Sequence, residues 1–341
     1  MKTEDLIETA RALMVEGKGL LAMDESMPTI GHRFEKEAIP NTEENRRAYR
    51  ELIVTTPGIG NCLSGAILFD ETVHQSTKNG VPFIEVLEHA GVIPGIKVDE
   101  GAVDMAGFPG EKVTLGLDTL RERLAAYRDK RLRFAKWRAV ITIGSDIPSK
   151  GCIQANTHDL ARYAALCQEA GIVPIVEPEV LMDGRHDIEL CFAVTKSVLQ
   201  ELFMQLVDQR VDLRGLILKP NMVLPGKDST KHVSIDEAAK ATVTCLLDSV
   251  PADVPGIAFL SGGQSPQDAT AHLNAMHVLY RDLLPWTLTF SFSRAIQDPE
   301  LHYWQGREEN VKEAQRILYD RMMLNSLARK GEYNPELEKQ Y

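Results

Sequence analysis

Eight short apolar segments recur along this chain, and a helical pattern of apolar residues follows each of them. Strands of a buried parallel sheet have this near-continuous apolar character. Strands that alternate with helices form parallel β-α units, and eight units within 341 residues favour a closed barrel over a doubly wound open sheet. We therefore predict an α/β protein, a single-domain (β/α)8 TIM barrel, with strands at residues 19–23, 64–69, 93–98, 134–143, 172–176, 216–219, 256–260 and 286–292.

The barrel domain is expected to span residues 1–331, because the last amphipathic helix ends at Gly331. Residues 332–341 contain a proline and several charges but little apolar surface, which predicts a mobile C-terminal tail. Helix starts are predicted at Thr157 and at Ser234, which forms a capping box with Glu237.

Composition excludes several classes of partner. Acidic residues outnumber basic ones 49 to 38 and the net charge is −11, which argues against a nucleic-acid or anionic-membrane surface. The five cysteines form no C-x-x-C pair, and no metal-ligand pattern or bound cofactor is indicated. Without a signal-peptide core or an apolar run of membrane length, we expect a cytoplasmic protein in a reducing compartment.

One strand ends on a lysine. Three aliphatic residues, 216–218, lie between Gly215 and Lys219, and Pro220 cannot extend a strand ladder. A lysine at the end of a core strand is partly stripped of water, which disfavours its ammonium form and favours nucleophilic chemistry. The alternative is a strand-end lysine that extends into solvent.

Charged residues cluster at the predicted strand ends, often two positions apart, so that each pair shares one face of its strand. In a barrel these ends meet at one face, where catalytic residues lie. A cation such as Lys136 near Lys219 would favour its free amine, and Glu177 or Glu179 could shuttle the proton when an imine forms. The charged candidates are Asp24, Lys97, Asp99, Lys136, Arg138, Glu177, Glu179 and Lys219.

Two anion sites are also predicted. The glycines of the Ser261-Gly262-Gly263 segment precede a helix start and would present backbone N–H groups to a phosphate, and Arg294 follows the eighth strand. An ordinary turn between strand and helix is the alternative. A second phosphate could bind near Ser26, Thr29 and Lys97 on the opposite side.

Six motifs together resemble those of class I, Schiff-base fructose-1,6-bisphosphate aldolases, over about residues 4–334. They are Leu21-Ala22-Met23-Asp24-Glu25-Ser26, Gly95-Ile96-Lys97-Val98-Asp99, Phe134-Ala135-Lys136-Trp137-Arg138, Ile175-Val176-Glu177-Pro178-Glu179, Leu218-Lys219-Pro220-Asn221-Met222 and Phe259-Leu260-Ser261-Gly262-Gly263-Gln264. The resemblance implies metal-independent, reversible cleavage of fructose 1,6-bisphosphate to dihydroxyacetone phosphate and glyceraldehyde 3-phosphate, in glycolysis and gluconeogenesis. It also implies a cytoplasmic homotetramer without a cofactor.

The same resemblance implies a role for each matched residue. Lys219 would form the Schiff base, Glu177 would be the acid/base assisted by Lys136, and Asp24 would take the proton of the C4 hydroxyl. The C1 phosphate would bind to Ser261, Gly262 and Arg294, and the C6 phosphate to Ser26, Thr29 and Lys97, with Arg138 and Glu179 as supporting charges. The terminal Tyr341 would assist proton transfer at C3.

The chain departs from the family pattern at several positions. Thr29 stands where many relatives have serine, His32 replaces a lysine, Ser293 replaces a glycine, and the tail before Tyr341 is short. Two alternatives stay open: a Schiff-base enzyme for a ketose 1-phosphate, and a catalytically silent scaffold on the same fold.

Overall fold

The computed structural model describes residues 3–340 of the chain. Its strands are β1 (Gly19–Met23), β2 (Leu63–Leu68), β3 (Ile93–Lys97), β4 (Ala102–Asp104), β5 (Lys112–Thr114), β6 (Phe134–Ile141), β7 (Val173–Val180), β8 (Ile217–Leu218), β9 (Gly256–Phe259) and β10 (Thr287–Phe292). Eight of them pair in parallel and close into a barrel in the order β1-β2-β3-β6-β7-β8-β9-β10. The predicted (β/α)8 barrel is therefore confirmed.

Helices cover the outside of the barrel. They are α1 (Thr3–Leu13), α2 (Met27–Lys36), α3 (Glu43–Val54), α4 (Ile59–Cys62), α5 (Asp70–Val73), α6 (Phe83–His89), α7 (Leu120–Asp129), α8 (Lys150–Ala170), α9 (Ile188–Asp208), α10 (Ile235–Leu247), α11 (Pro266–Tyr280), α12 (Arg294–Trp304) and α13 (Val311–Lys330). Single 3₁₀ turns lie at Leu213–Gly215, Arg281–Leu283, Glu308–Asn310 and Pro335–Lys339.

The strands differ from the prediction in two features. Strand β7 continues past Val176 to Val180 and stays paired with β6, so Glu177 and Glu179 lie within the strand. A short antiparallel hairpin, β4 with β5, was not predicted; its strands have three residues each, too few for a period-2 pattern to be recognised.

Helix starts were predicted with mixed success. The capping box of Ser234 and Glu237 is present at the start of α10. The predicted start at Thr157 is wrong: α8 begins at Lys150 behind the cap Ser149, and the Thr157 hydroxyl donates to the Ile153 carbonyl at 2.8 Å. A hydroxyl at this position can satisfy itself on the preceding turn, so a threonine alone does not mark a helix start.

The amino-terminal end of the barrel is closed by apolar side chains. Helix α1 lies across it and packs Leu13 against Phe134, the first residue of β6. The Phe134 ring needs glycines beside it: a Cβ on Gly95 would lie 2.3 Å from the ring, and one on Gly65 would lie 2.7 Å from Leu13 Cδ2. The other residues of this closed end are Leu6, Ala10, Met14, Leu20, Ala22, Ile67, Val173, Ile175, Ile217 and Ala258.

Helix α9 has the length and apolar composition that a membrane span requires, with a mean hydropathy of 1.3, so the expectation that no segment approaches that length was too broad. In the structure α9 packs against α8 and β7, and it buries one face that includes Val198, Leu202 and Leu206. A helix packed in this way serves as a core helix of the barrel.

The segment after α13 returns along the barrel wall. Tyr333 is buried, its backbone N–H donates to Asn274 Oδ1 at 3.1 Å, and its hydroxyl donates to Glu338 at 3.0 Å. Glu338 also pairs with Arg321 at 2.6 Å. The mobility of residues 332–341 stays a prediction, and Tyr341 lies outside the described residues.

Candidate active site

The carboxyl ends of the barrel strands surround an open cavity of about 1120 Å³. Thirteen of the fifteen predicted site residues line it: Asp24, Ser26, Thr29, Lys97, Asp99, Lys136, Arg138, Glu177, Glu179, Lys219, Ser261, Gly262 and Arg294. Gly263 adjoins this group but does not line the cavity. The strand-end rule therefore brings together residues that lie as far apart in sequence as Asp24 and Arg294.

Lys219 is held firmly at the end of β8. Its backbone N–H donates to the Val176 carbonyl at 2.8 Å, and its side chain is only 4% exposed. Beyond Pro220, the Asn221 side chain accepts a hydrogen bond from the Val180 N–H at 3.0 Å, which fixes the chain to the same strand, β7, a second time. The predicted alternative, a lysine extending into solvent, does not match this buried position.

Glu177 contacts both buried lysines. Its Oε1 lies 3.2 Å from Lys219 Nζ, and its Oε2 lies 3.4 Å from Lys136 Nζ. Strand β7 therefore places a single carboxylate between the two amines, where it can exchange protons with a group bound to Lys219. Glu179, two residues further along the strand, instead pairs with Arg138.

Lys136 is the centre of an ion-pair network. Its Nζ lies 2.7 Å from Asp24 Oδ2 and 3.9 Å from Asp99 Oδ2, in addition to its contact with Glu177. Burial alone would lower the pKa of Lys136, but the neighbouring carboxylates outweigh burial and hold that pKa above its usual value. Lys136 is therefore a permanent cation in this site.

The sequence argument about charge needs a correction here. It treated Lys136 as a cation that repels Lys219, whereas three carboxylates compensate the charge of Lys136 in the structure. Its repulsion of Lys219 is correspondingly weakened. The geometry instead points to Lys136 as the group that orients Glu177 and Asp24.

Asp24 is kept ionised although it is buried. Burial would raise its pKa, but Lys136 and Lys219 outweigh that effect and hold the pKa of Asp24 below its usual value. A carboxylate that stays charged inside the cavity can accept a proton from a substrate hydroxyl.

The predicted turn for the first phosphate follows β9. Gly262 and Gly263 have positive φ angles of 62° and 91°, which only glycine adopts readily, and Ser265 caps α11 directly afterwards. Arg294 begins α12 at the same edge of the cavity and forms no ion pair with any residue between 3 and 340. A glycine turn beside an uncompensated arginine is a suitable place for an anion.

The residues predicted for the second anion site also line the cavity. The hydroxyls of Ser26 and Thr29 are 3.0 Å apart at the start of α2, and Lys97 Nζ contacts Asp99 Oδ1 at 2.7 Å. Lys97 and Asp99, two of the charged candidates two positions apart, therefore form an ion pair with each other. Both hydroxyls and Lys97 line the cavity and can be reached by a substrate.

Sequence reasoning missed a buried network behind the two anion sites. Glu25 accepts hydrogen bonds from Arg33 at 2.5 Å and from Ser293 at 2.9 Å, and it pairs with Arg50 at 2.6 Å. Burial would raise the pKa of Glu25, but Arg50 and Arg33 keep that pKa below its usual value. One signal was available: Arg33 falls on the same helical face as the apolar Ile30.

The network has a structural consequence for the site. Ser293, one of the departures from the family pattern, directly precedes Arg294, and its hydroxyl donates a hydrogen bond to Glu25. Glu25 in turn directly precedes Ser26. The two predicted phosphate ends are therefore connected through buried side chains rather than independently placed.

A buried lysine beside a carboxylate, at the open end of a (β/α)8 barrel, is the arrangement found in enzymes that form a Schiff base with a carbonyl substrate. The two separated anion sites are suited to a substrate with a charged group at each end. The fold and site thus define a class of Schiff-base barrel enzymes.

Comparison with known proteins identifies the family. The family described as "Fructose-bisphosphate aldolase class-I" matches residues 5–341. A probable class 1 fructose-bisphosphate aldolase from Xanthomonas axonopodis is 56% identical over 98% of this chain and 99% of its own length. A cytosolic fructose-bisphosphate aldolase of Arabidopsis thaliana is 54% identical over 97% of this chain and 92% of its own. The chain belongs to the class I fructose-bisphosphate aldolase family.

A solved structure supports the same assignment. The fructose-bisphosphate aldolase of Plasmodium falciparum superposes with a TM-score of 0.95 at 45% identity, over 97% of this chain and 95% of that one. The barrel and its covering helices are therefore shared along nearly the whole length of both chains.

Proposed function

We propose that this protein reversibly cleaves fructose 1,6-bisphosphate into dihydroxyacetone phosphate and glyceraldehyde 3-phosphate, through a Schiff base on Lys219, in glycolysis and gluconeogenesis. The observation that carries the proposal is the position of Glu177, whose two carboxylate oxygens contact Lys219 and Lys136 in a buried cluster. Burying three charged groups costs free energy, and a catalytically silent scaffold would gain nothing that offsets this cost at the open end of the barrel.

Imine formation requires proton movement in both directions. The Lys219 amine attacks the C2 carbonyl and forms a carbinolamine, which loses water when its hydroxyl is protonated. Glu177, whose Oε1 lies 3.2 Å from Lys219 Nζ, supplies and recovers that proton. Lys136 remains charged throughout and holds Glu177 in place by its contact at 3.4 Å.

Bond cleavage follows from the positive charge of the iminium. Asp24 accepts the proton of the C4 hydroxyl, the C4 oxygen forms the aldehyde, and the C3–C4 bonding electrons move towards the iminium nitrogen to give an enamine. The depressed pKa of Asp24 keeps it available as a base. Its contact with Lys136 at 2.7 Å stabilises that ionised form.

The phosphates align the sugar between the two anion sites. The C1 phosphate binds at Ser261, Gly262 and Arg294 with the adjoining Gly263, and the C6 phosphate binds at Ser26, Thr29 and Lys97. Arg138 and Glu179 hold each other in position at the rim of the cavity. Fixing both ends of the substrate places C2 at the Lys219 amine.

The end of the chain completes the cycle in this proposal. Tyr341 protonates C3 of the enamine after the aldehyde has left, which requires the tail to release the contacts of Tyr333 and Glu338 before it reaches the cavity. The protein works in the cytoplasm as a homotetramer. Support for the compartment comes from plant relatives named as cytosolic isozymes.

The proposal is tested by measuring cleavage of fructose 1,6-bisphosphate by the purified protein in the presence of EDTA. We expect full turnover, with dihydroxyacetone phosphate and glyceraldehyde 3-phosphate in equal amounts, and no turnover by Lys219→Met. Activity that is lost in EDTA and restored by zinc would contradict the Schiff-base mechanism. A fructose 1-phosphate rate above that of the bisphosphate would instead support the ketose 1-phosphate alternative.

A further inference from the structure

Lys227 lies beside the glycine turn of the first anion site, and the reaction described above gives it no role. We propose that Lys227 is an additional cation for the C1 phosphate, acting together with Arg294 from the outer side of Gly263. The identity of the anion as a sugar phosphate rests on the proposed function; the positive site itself rests on the geometry.

The backbone around Lys227 is fixed. Its N–H donates to the Met182 carbonyl at 2.7 Å, and the N–H groups of Gly226 and Asp228 donate to the carbonyls of His186 and Gly184 at 2.8 and 2.9 Å. These three bonds join the loop after β8 to the loop after β7. The backbone of Lys227 is therefore held in one position, unlike that of most surface lysines.

The approach of the two loops depends on a glycine. A Cβ on Gly226 would lie 2.3 Å from the Gly184 carbonyl oxygen, which is a direct clash with backbone. Any other residue at this position would force the loops apart and move Lys227. The close approach places the lysine over the neighbouring phosphate turn.

The Lys227 side chain and Arg294 reach the same face of Gly263. A Cβ built on Gly263 would lie 3.0 Å from Lys227 Cε, 3.1 Å from Lys227 Nζ and 3.5 Å from Arg294 Nη2. Two cations thus converge on one backbone turn. Like charges this close repel each other unless an anion lies between or beside them.

Only one carboxylate offsets this charge among residues 3–340. Asp183 contacts Lys227 Nζ at 3.0 Å, but the Asp183 side chain is 66% exposed and that of Lys227 is 39% exposed. An exposed ion pair contributes little and exchanges readily. Lys227 can therefore turn from Asp183 towards a phosphate without a large loss.

The main test is Lys227→Met, which keeps most of the stem that packs on Gly263 and removes the charge. We expect KM for fructose 1,6-bisphosphate and for fructose 1-phosphate to rise by about three- to tenfold each, with kcat unchanged. The inhibition constant of inorganic phosphate should rise by a similar factor. Lys227→Arg should restore all three values.

The chain offers a matched control in Lys231. Its Nζ pairs with Asp187 at 2.8 Å and also joins the loop after β8 to the chain after β7, but the three atoms nearest a Cβ on Gly263 belong to Lys227 and Arg294. Lys231→Met removes the same charge and the same kind of ion pair, and it should leave KM within twofold of the parent value. Asp183→Asn should lower KM, because it frees Lys227 for the substrate.

Two outcomes would overturn the role of Lys227: equal effects of Lys227→Met and Lys231→Met, or a fall in kcat without a change in KM. The Schiff base is checked separately by borohydride trapping with dihydroxyacetone phosphate at saturating concentration. If Lys227→Met is trapped normally on Lys219 but shows no change in KM, only this inference fails. If the parent protein gives no adduct on Lys219, the proposed function fails as well.

Discussion

The two ends of the barrel are built from the same strands, yet they differ completely in chemistry. On β6, Phe134 belongs to the apolar closed end and Lys136, two residues later, to the charged open end. On β7 the corresponding step runs from Ile175 to Glu177. Because residues two apart share one face of a strand, each strand passes from an apolar layer to a charged one along its inner face.

The comparison shows what each layer contributes. Apolar residues at the closed end bury surface without a desolvation penalty, so they stabilise the fold. The charged layer sets three lysines, Lys97, Lys136 and Lys219, against three carboxylates, Asp24, Asp99 and Glu177. Buried ion pairs of this kind contribute little net stability, so their presence indicates function.

The largest effect is expected at the open end. Glu177→Gln keeps the shape of the side chain but cannot exchange protons with the carbinolamine, so kcat should fall by roughly 10²- to 10⁴-fold. Steady-state turnover and a thermal melt of the same sample separate catalysis from folding. A kcat within a factor of five of the parent enzyme would remove Glu177 from the chemistry.

A substitution at the closed end should lower the stability of the fold and leave substrate binding unchanged. Phe134→Ala leaves a cavity against Gly65, Gly95 and Leu13, and it should lower the free energy of unfolding by about 3–5 kcal/mol. KM should stay the same at temperatures where the variant is folded. Phe134→Leu is the milder control. If Phe134→Ala instead altered KM with no loss of stability, the proposed division between the two ends would be wrong.

The next prediction distinguishes the two phosphate ends of the cavity by their effect on KM. Arg294→Ala should raise KM by about tenfold for both fructose 1,6-bisphosphate and fructose 1-phosphate, since both carry the C1 phosphate. Lys97→Ala should penalise the bisphosphate much more than the 1-phosphate. The measurement is the ratio of kcat/KM for the two ketoses. Equal losses on both substrates in both variants would contradict the two assigned phosphate ends.

The smallest effect concerns the chain end. Deleting Tyr341 should slow proton exchange at C3 of dihydroxyacetone phosphate and the overall turnover, while bond cleavage in a single turnover stays nearly intact. The reason is that Tyr341 acts on the enamine only after the bond has broken. An exchange rate that does not change on deletion would show that Tyr341 has no part in proton transfer.

The sequence predicts the barrel and most of the charged layer because both obey local rules. Apolar runs locate the strands, and the spacing of two places charged pairs on one face. The prediction nevertheless ended β7 at Val176, where its apolar run stops. In the barrel Glu177 and Glu179 remain in register with β6, and tertiary pairing extends the strand.

The electrostatic details could not be predicted in this way. Glu25 and Ser293 are separated by 268 positions, and no local pattern links them. Nor does the spacing of Lys136 indicate that Asp24, from the first strand, and Glu177, from β7, compensate its charge. The position of Lys227 over Gly263 likewise depends on the contact between two loops. These features arise from closure of the barrel, which the sequence pattern does not describe residue by residue.

The central claim is that Lys219 is the nucleophile of the open end. The most direct measurement is borohydride reduction of the protein in the presence of dihydroxyacetone phosphate, followed by mass spectrometry of the peptides. The account predicts a single reduced adduct on Lys219 and none in Lys219→Met. An adduct on Lys136, or no adduct in the parent protein, would contradict it.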